Sequence, residues 1–555
     1  MKPYFFLLIL FIIHPLYAQE SFEEELKSVD SLFTPWAKPN SPGAALGIYK
    51  DGKLIYTQGY GMSNLEYDIP IKPNSIFHVA SISKQFTNFA VLLLEEEGKL
   101  SIEDDIRKHM PEIPDFGKTI TIRQLMHHTS GYRDQWQLLA LAGWRLDDVI
   151  TKEQIMRLIE GQRELNFEPG SQYRYSNSGY SILARLVEKI SGKSFRQFAK
   201  DRIFKPLGMK DTHVHDDHER IVPRRAYSYR PDGLFYKKSV LSYSNDGATS
   251  LFTTVEDMGK WMNNMLKPTL GKSFIVKMRT KGILNNGDEI NYGLGQSVNE
   301  YKGLSWAGHG GADAGFRSTV RWYPEHDFGL VVLSNLASFN PSLKANQISD
   351  IFLGEHFVKE EKKEEKPIEA VPISSKELEK YQGRFVLTQY GINFTVKAEE
   401  DKLFALLEWS GEKFHLIHLG DDSFLAEEDP GLRLMYKLKK GEIEKIDMLD
   451  GKTELDAIPY INYEVSEAKL GIYEGNFYSS ELDTFYKIRY TEEGLIASHH
   501  RHGNIKLTQN GPHTFSSSAW WMGKIEFVFG KKNELLSFLV GGGRVDNLRF
   551  EKVGD

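Results

Sequence analysis

The sequence predicts an α+β domain with an antiparallel sheet and helices, followed by two small antiparallel β-barrels. Two strand pairs near the ends of the upstream part enclose a helical middle, and the downstream part is a run of short alternating strands with an internal repeat. Strands that enclose helices favour an α+β sandwich, whereas many short strands separated by turns favour barrels.

The first strand pair is a hairpin at 44–49 and 53–58. Its side chains alternate around Asp51-Gly52, a dipeptide typical of tight hairpin turns. Near the far end of the upstream part, 319–322 and 328–333 form the second pair. The intervening chain has apolar residues at helical spacing, which predicts helices in stretches that include 83–100 and 179–191.

A run of alternating charge at 359–366, followed by Pro367 and Pro372, separates the two parts. It has no apolar face to bury, so we expect a solvated linker. The predicted organisation comprises five segments: signal 1–18, catalytic domain 22–357, linker 358–375, first barrel 376–460 and second barrel 466–555.

The downstream part repeats itself with a constant offset of about 92 positions, a period long enough for about eight short strands and their turns. The repeated positions are Leu378, Tyr381, Gly383 and Phe385, which recur as Leu470, Tyr473, Gly475 and Phe477. Two barrels are therefore predicted, with a single fused β domain as the alternative.

The composition excludes several classes of function. The 555 residues include no Cys, which removes disulfides, thiol nucleophiles and thiolate metal sites. A net charge of −7 argues against a protein that binds nucleic acid, which needs clustered Lys and Arg.

Residues 1–18 have the features of a secretory signal. Lys2 supplies a positive start, an apolar run covers 4–13, and Ala18 offers a small residue at the cleavage point. The run is shorter than the ~20 apolar residues that span a membrane. We therefore expect a periplasmic or secreted protein that is not stably inserted in a membrane.

Ser81 and Lys84 form a Ser-x-x-Lys motif where a strand-like segment meets an apolar helix. Residues three apart share a helix face, so both side chains point into one site. The spacing alone is weak, because it also occurs at Ser410/Lys413 and Ser466/Lys469 in the β region.

Two further motifs supply the context. Tyr175-Ser176-Asn177 precedes an amphipathic helix, and His309-Gly310-Gly311 precedes a strand. The ordered set Ser-x-x-Lys, Tyr-x-Asn and His-x-Gly resembles the active site of the penicillin-recognising serine hydrolases. These include class C β-lactamases, D-Ala-D-Ala carboxypeptidases, family VIII esterases and D-aminopeptidases.

The resemblance implies a β-lactamase/transpeptidase-like domain and a role for each residue, without a cofactor. Ser81 would attack a carbonyl to form an acyl-enzyme, and Lys84 and Tyr175 would share the proton transfer, with the identity of the base left open. Asn177 would bind the substrate amide. His309 and Gly311 would line the substrate site, and the oxyanion would lie between the backbone N–H groups of Ser81 and Ala312.

His309 departs from the β-lactamase pattern, which has Lys at this position. An imidazole is mostly neutral at neutral pH, so strong recognition of a carboxylate is not expected. His-x-Gly and two C-terminal barrels both resemble D-aminopeptidases, whose activity on small peptides and amides is the leading expectation. The alternatives are a broad carboxylesterase, a weak β-lactamase or D-Ala-D-Ala carboxypeptidase, and a protein that binds penicillin or cell-wall peptides without turnover.

A rival site is the cluster His213, His215 and His218, which fits the zinc signature of metallo-β-lactamases. The sequence on either side of the cluster resembles that of the serine hydrolases, and Glu219-Arg220 replaces the Gly-Gly that usually follows the metal motif. A surface loop without a metal is therefore expected here.

Overall fold

The computed structural model describes residues 22–358, 370–388, 392–399, 402–408, 413–429, 431–450, 453–460 and 467–554. The chain divides into two compact units, Met1–Gln135 with Arg145–Val358 and Trp136–Trp144 with Lys359–Asp555. The predicted signal at 1–18 and the charged run at 359–366 lie outside the described residues. The predicted domain boundaries stay predictions.

The helical elements begin with a helix at 22–33. The further α-helices are α1 (Ser83–Glu96), α2 (Ile106–His109), α3 (Ile122–Met126), α4 (Gln135–Leu141), α5 (Lys152–Glu160), α6 (Asn177–Ser191), α7 (Phe195–Ala199), α8 (Val255–Leu266), α9 (Ile275–Arg279), α10 (Pro341–Leu353) and α11 (Ser375–Leu378). In the part of the chain that the structure describes, no helix is both long and apolar enough to cross a membrane.

The strands of the first unit form one large sheet and three small ones. In chain order they are β1 (Ala44–Lys50), β2 (Lys53–Tyr60), β3 (Met62–Asn64), β4 (Ile69–Pro70), β5 (Phe77–His78), β6 (His213–Val214), β7 (Ser228–Asp232), β8 (Phe235–Ser239), β9 (Leu251–Thr253), β10 (Ser297–Tyr301), β11 (Leu304–Asp313), β12 (Phe316–Tyr323) and β13 (Phe328–Ser334).

The large sheet has the strand order β10-β11-β12-β13-β1-β2, and every neighbouring pair is antiparallel. Leu46 pairs with Val332, so the two predicted strand pairs meet in the middle of one sheet. Asp51 and Gly52 both have positive φ, as a tight hairpin turn of this kind requires. The predicted α+β domain with an antiparallel sheet is confirmed.

The central strands are buried on both faces, with only Lys50 exposed along β1 and β13. Leu46 and Ile48 from β1 and Leu330 and Val332 from β13 share one core cluster. Each such side chain contributes about 1.5–3 kcal/mol when fully buried. This rigid sheet carries β11, the strand that forms one side of the candidate site.

The second unit contains two closed eight-stranded barrels. The first consists of β14 (Gly383–Leu387), β15 (Ile392–Glu399), β16 (Lys402–Leu407), β17 (Lys413–Gly420), β18 (Ser423–Ala426), β19 (Leu432–Lys439), β20 (Glu442–Asp450) and β21 (Thr453–Pro459). The second consists of β22 (Gly475–Ser479), β23 (Thr484–Thr491), β24 (Gly494–His499), β25 (Gly503–Gly511), β26 (Thr514–Ser516), β27 (Lys524–Phe529), β28 (Leu535–Gly541) and β29 (Leu548–Lys552).

The repeat explains the barrels. Gly383 and Gly475 each begin the first strand of a barrel, and the preceding Tyr381 and Tyr473 are buried. Each barrel closes by pairing its first strand with its last, which leaves no open sheet edge. Two barrels are therefore confirmed, and the alternative of a single fused β domain is wrong.

A short segment from the middle of the chain, Trp136–Trp144, belongs to the second unit. The Gln137 side chain binds it to loops of the second barrel. Its Nε2 donates to Trp521 O at 3.1 Å and Gly542 O at 2.9 Å. Its Oε1 accepts from the N–H of Arg544 at 2.8 Å. One buried side chain thus satisfies three backbone groups.

Two carbonyls of α4 add to this docking. Ala140 O accepts from His502 Nε2 at 2.7 Å, and Leu141 O accepts from the Tyr486 hydroxyl at 3.2 Å. Residues 138–141 are at most 2% exposed. The docked segment is therefore part of the folded second unit.

Candidate active site

The candidate nucleophile lies in a strained turn. Ser81 is the central residue of a 3-10 turn, Ala80–Ile82, that runs directly into α1. Ala80, which is buried, has a φ of 49°. A non-glycine residue in this left-handed region costs about 1–2 kcal/mol, so the surrounding contacts must hold the turn in place.

Lys84 follows Ser81 by one helical turn and is fully buried. Its Nζ donates to Ser81 Oγ at 3.1 Å. It also donates to Asn177 Oδ1 and to the Ala248 carbonyl, both at 2.8 Å. These three acceptors are uncharged, and together they aim the ammonium at the serine oxygen.

Asn177 is the first residue of α6 and is held from behind by Asp134. Its backbone N–H and its Nδ2 donate to Asp134 Oδ2 at 2.7 and 2.8 Å. With both of these groups bound to the carboxylate, the Asn177 Oδ1 faces Lys84. This contact fixes the amide orientation, because Oδ1 must accept and Nδ2 must donate.

Tyr175 lies beside the lysine. Lys84 Nζ is 4.8 Å from the centre of the Tyr175 ring. The His128 ring lies 4.1 Å from the Tyr175 ring, and its Nδ1 accepts from the N–H of Ser176 at 3.1 Å. His128 therefore supports both the ring and the backbone of the Tyr-x-Asn motif.

His309 lies on β11 and is 7% exposed. Its Nδ1 donates to Gly310 O at 2.5 Å, and its Nε2 accepts from the Tyr292 hydroxyl at 2.9 Å. Burial, and secondarily the positive Lys84, lower the pKa of His309 to about 3. The imidazole is therefore neutral at neutral pH, so this position carries no permanent positive charge.

Gly311 and Ala312 follow on the same strand. A Cβ on Gly311 would lie 2.2 Å from Val79 O and 2.3 Å from Ser318 Oγ, so only glycine fits here. Ala312 is exposed on the strand. The close approach at Gly311 brings β11 against the backbone that leads into the Ser81 turn.

The predicted site residues thus fall into one region of the first unit. Ser81, Lys84 and Asn177 form a hydrogen-bonded group, with Tyr175 against the lysine. The predicted substrate residues on β11, namely His309, Gly311 and Ala312, follow one another along one strand.

His128 was expected to help fix the loop near the site, and its contacts agree with that role. Sequence reasoning gave no role to three further contributors, namely Asp134, Tyr292 and the Ala248 carbonyl. His128 and Tyr292 lie in the phrases His127-His128-Thr129-Ser130-Gly131 and Tyr292-Gly293-Leu294-Gly295, which signal a special backbone but give no partner. No sequence signal distinguishes Asp134 or the Ala248 carbonyl.

The expected surface loop at the rival histidine cluster is wrong for two of its three members, because His213 begins β6 and His215 is 1% exposed. The rings of His213 and His215 are 5.7 Å apart and both contact Phe252, whereas His218 is exposed. Burial lowers the pKa of His213 to about 4 and that of His215 to about 3. Within the described ranges, no group of three or more His, Asp or Glu residues is arranged to hold a metal ion.

Comparison with known proteins gives the family. The Beta-lactamase family model matches residues 29–352, which is more than half of the chain. The chain belongs to the Beta-lactamase family. This family and the geometry at Ser81 make it a β-lactamase-fold serine hydrolase, related to penicillin-binding proteins.

Two curated proteins share sequence similarity with this Beta-lactamase family member over much of its length. Penicillin-binding protein 4* of Bacillus subtilis (strain 168) is 28% identical over 414 residues, which cover 70% of this chain and 89% of that protein. Protein flp of Staphylococcus aureus (strain MW2) is 29% identical over 316 residues, which cover 54% of this chain and 61% of that protein.

Solved structures of similar fold include the octameric penicillin-binding protein homologue from Pyrococcus abyssi. It has a TM-score of 0.53 and 24% identity and covers 79% of this Beta-lactamase family chain and 99% of its own. The D-amino acid amidase from Ochrobactrum anthropi SV3 has a TM-score of 0.52 and 20% identity, with coverage of 60% and 99%.

Proposed function

We propose that this protein is an exported hydrolase that forms an acyl-enzyme at Ser81 and cleaves small amides or peptides, with D-amino-acid N-terminal residues as the preferred substrates. The observation that carries the proposal is the buried Lys84 ammonium bonded to both Ser81 Oγ and Asn177 Oδ1. A fully buried cation aimed at a serine hydroxyl is costly to maintain, and activation of that hydroxyl accounts for it.

In the first half-reaction the pair Lys84 and Tyr175 starts one proton short, as a neutral lysine or a tyrosinate. Ser81 Oγ bonds to the substrate carbonyl carbon and its proton passes to that pair. The same pair then protonates the leaving amine as the C–N bond breaks, which leaves an acyl ester on Ser81. Water hydrolyses that ester, releases the acid and restores the serine hydroxyl. Either member of the pair can act as the base.

The charge that develops on the carbonyl oxygen needs hydrogen-bond donors. The backbone N–H groups of Ser81 and Ala312 are the proposed donors. Each such donor contributes roughly 3–4 kcal/mol to transition-state stabilisation in hydrolases where one has been removed. Asn177 would contact the substrate amide, and His309 and Gly311 would line the cleft on the β11 side.

The neutral His309 favours substrates without a carboxylate next to the scissile bond. A permanent ammonium would bind the carboxylate of penicillin or of a D-Ala-D-Ala terminus, and a neutral imidazole gives no such ion pair. This supports an aminopeptidase or amidase over a carboxypeptidase. The two barrels support the same branch, because they match a D-aminopeptidase-like layout.

The test is the release of p-nitroaniline from D-Ala-p-nitroanilide and its L isomer by the purified mature protein. We expect a clear preference for D and complete loss in Ser81→Ala. Ser466→Ala is the matched control, since Ser466 has the same Ser-x-x-Lys spacing but is not part of the ordered set of three motifs. Activity that survived in Ser81→Ala and vanished with EDTA would move the reaction to the His213 cluster.

Two alternatives give different results in the same assay. A broad esterase would cleave p-nitrophenyl esters and neither anilide. A protein that is acylated at Ser81 without turnover would release one equivalent of product and then stop, and one that merely binds would release none. Four residues suited to turnover, namely Ser81, Lys84, Tyr175 and Asn177, favour a hydrolase over a pure binding protein.

Export belongs to the same proposal. A periplasmic or secreted enzyme would meet cell-wall peptides, the substrate source that we favour. Cleavage of the predicted signal would make Gln19, or its cyclised form, the first residue of the mature protein. Mass spectrometry of the N-terminal peptide from a secreting host tests this, and an intact Met1 would contradict it.

A further inference from the structure

His78 and Asp313 connect the segment before the Ser81 turn to the end of β11. His78 Nε2 lies 3.0 Å from Asp313 Oδ2. An ionised carboxylate only accepts hydrogen bonds, so Nε2 carries the proton and donates it. The His78 side chain is fully buried and contacts the rings of Phe252 and Phe316. The imidazole is therefore held in one orientation.

The second oxygen of Asp313 is also occupied. The hydroxyl of Tyr243, a buried residue, donates to Asp313 Oδ1. A carboxylate held at both oxygens cannot rotate about its Cβ–Cγ bond without breaking one of the two contacts. Asp313 is thus a fixed point at the end of β11.

A separate contact is made by Gly311, the residue on the other side of Ala312 from Asp313. Gly311 passes so close to Val79 O that a Cβ would reach within 2.2 Å of it. Ser318, which pairs with Gly311 across β11 and β12, donates from Oγ to the same Val79 oxygen at 3.0 Å. Two consecutive residues before the turn, His78 and Val79, are therefore joined to this end of the sheet.

We infer that Asp313, acting through His78, is a positioning residue that sets the separation of the two oxyanion N–H donors. This inference rests on the proposed function. One donor belongs to Ser81, three residues after His78, and the other to Ala312, which lies between the tied Gly311 and Asp313. Ala312 pairs with Arg317 across β11 and β12, so the position of its N–H follows that of the strand end.

The strained turn gives an independent reason for such ties. Ala80, between Val79 and Ser81, has a φ of 49°. A strained residue persists only where its neighbours leave it no alternative. The bonds from His78 and Val79 to β11 and β12 hold the chain on the entry side of the turn, and α1 holds it on the exit side.

The test compares Asp313→Asn with the wild type in three measurements. The substitution keeps the size but turns one acceptor into a donor, which opposes either the His78 or the Tyr243 proton. We expect kcat to fall by about 10- to 100-fold with KM within threefold. Affinity for phenylboronic acid should fall by a similar factor. Its boron takes the electron pair of Ser81 Oγ and places a tetrahedral oxygen in the oxyanion position.

Active-site titration with a fluorophosphonate separates an effect on positioning from a loss of folded protein, because it counts the molecules in which Ser81 can react. A purely structural role would lower that count and leave the boronate affinity per titrated site unchanged, and this result would overturn the inference. The matched control is Asp350→Asn. Asp350 also accepts from a tyrosine, Tyr301, but on the exposed surface, and we expect no change in kcat.

A second pair of variants keeps the inference testable if Asp313→Asn does not fold. His78→Gln retains an N–H donor near the position of Nε2, whereas His78→Leu removes it. We expect His78→Gln to retain at least tenfold more kcat per titrated site than His78→Leu. Equal values for the two would overturn the inference. The proposed function, and not this inference, fails if the wild-type protein forms no boronate adduct. It also fails if the adduct persists in Ser81→Ala.

Discussion

Lys84 Nζ and Asn177 Oδ1 are 2.8 Å apart, in a site where the lysine is wholly shielded from solvent. The two residues come from different helices, α1 and α6, and each is oriented by a further contact. Asp134 holds the asparagine, and Ser81 lies on the other side of the lysine. The hydroxyl is thus one end of a chain of polar groups that begins at a buried carboxylate.

Replacement of Lys84 by Met should separate catalysis from stability. The apolar side chain is of similar length and removes a buried charge, so we expect an unchanged or raised melting temperature. Turnover should fall by about 10³-fold or more, because Ser81 loses one member of the Lys84 and Tyr175 pair that transfers its proton. Lys205→Met, at an exposed lysine, is the control and should keep full activity. A folded Lys84→Met protein with more than a tenth of wild-type kcat would contradict the role of the lysine.

Asp134→Asn should weaken both the fold and the reaction. Asp134 Oδ2 receives two buried donors from Asn177, and an amide in its place disturbs at least one of them. We expect a loss of about 1–3 kcal/mol in urea unfolding and a fall of about tenfold in kcat. Asp232→Asn, at an exposed ion pair with Lys237, should change neither quantity measurably.

His309→Lys should increase acylation by penicillins. A cation at this position of β11 would supply the ion pair with the β-lactam carboxylate that the neutral imidazole lacks. We expect the second-order rate of benzylpenicillin acylation to rise by about tenfold, the equivalent of ~1.4 kcal/mol, despite repulsion from Lys84. His309→Gln, which stays neutral, should leave the rate unchanged. An equal rate in all three proteins would show that the carboxylate binds elsewhere.

Stability should fall as the pH is lowered below about 6.5. Burial lowers the pKa of His127 to about 4 and those of His215 and His309 to about 3. The unfolded chain, with an ordinary pKa near 6.5, then binds protons that the folded chain does not. The contribution of these groups is complete above pH 6.5 and decreases toward pH 3.

Urea unfolding at pH 7 and pH 5 measures this effect. Each of these histidines should contribute about 2 kcal/mol to the difference, since the slope is about 1.4 kcal/mol per pH unit per group. In His309→Gln the difference between the two pH values should be smaller than in wild type. A difference that is equal in both proteins would mean that His309 takes up no proton on unfolding.

Gln137→Ala should destabilise the second unit. The substitution leaves the Trp521 and Gly542 carbonyls and the Arg544 N–H without their buried partner, at a cost of about 1.5–4.5 kcal/mol. Hydrogen exchange should show faster exchange in 136–144. The control is Gln347→Ala on α10, where the side chain only accepts from Lys344. Unchanged exchange in the docked segment would contradict the proposed anchoring.

Local pattern was sufficient for much of the architecture. The hairpin at Asp51-Gly52 depends on turn chemistry between adjacent residues, and the barrels depend on a repeat that is visible along the chain. Ser81 lies in the 3-10 turn that leads into α1 and Lys84 in its first turn, so the three-residue spacing was enough to predict their contact. In each case the interacting groups are close in sequence or recur in register.

The remainder depends on contacts between distant parts of the chain. Asp134 meets Asn177 across 43 positions, and the Ala248 carbonyl meets Lys84 across 164. Neither partner has a motif of its own, because a carboxylate or a backbone carbonyl at such a place is specified only by the folded geometry. The neutral state of His309 was expected from residue type, and its burial adds the physical cause.

Docking of α4 has a consequence for synthesis of the protein. Gln137 and its partner Arg544 are 407 positions apart, so at ~5–20 residues per second the helix leaves the ribosome roughly 20–80 s before its binding surface exists. During that interval Gln137, Ala140 and Leu141 lack the hydrogen-bond partners that the second barrel supplies. The nascent chain therefore carries an undocked apolar helix until its last barrel is made. A chain truncated before that barrel would retain this helix as a binding site for chaperones or as a starting point for aggregation.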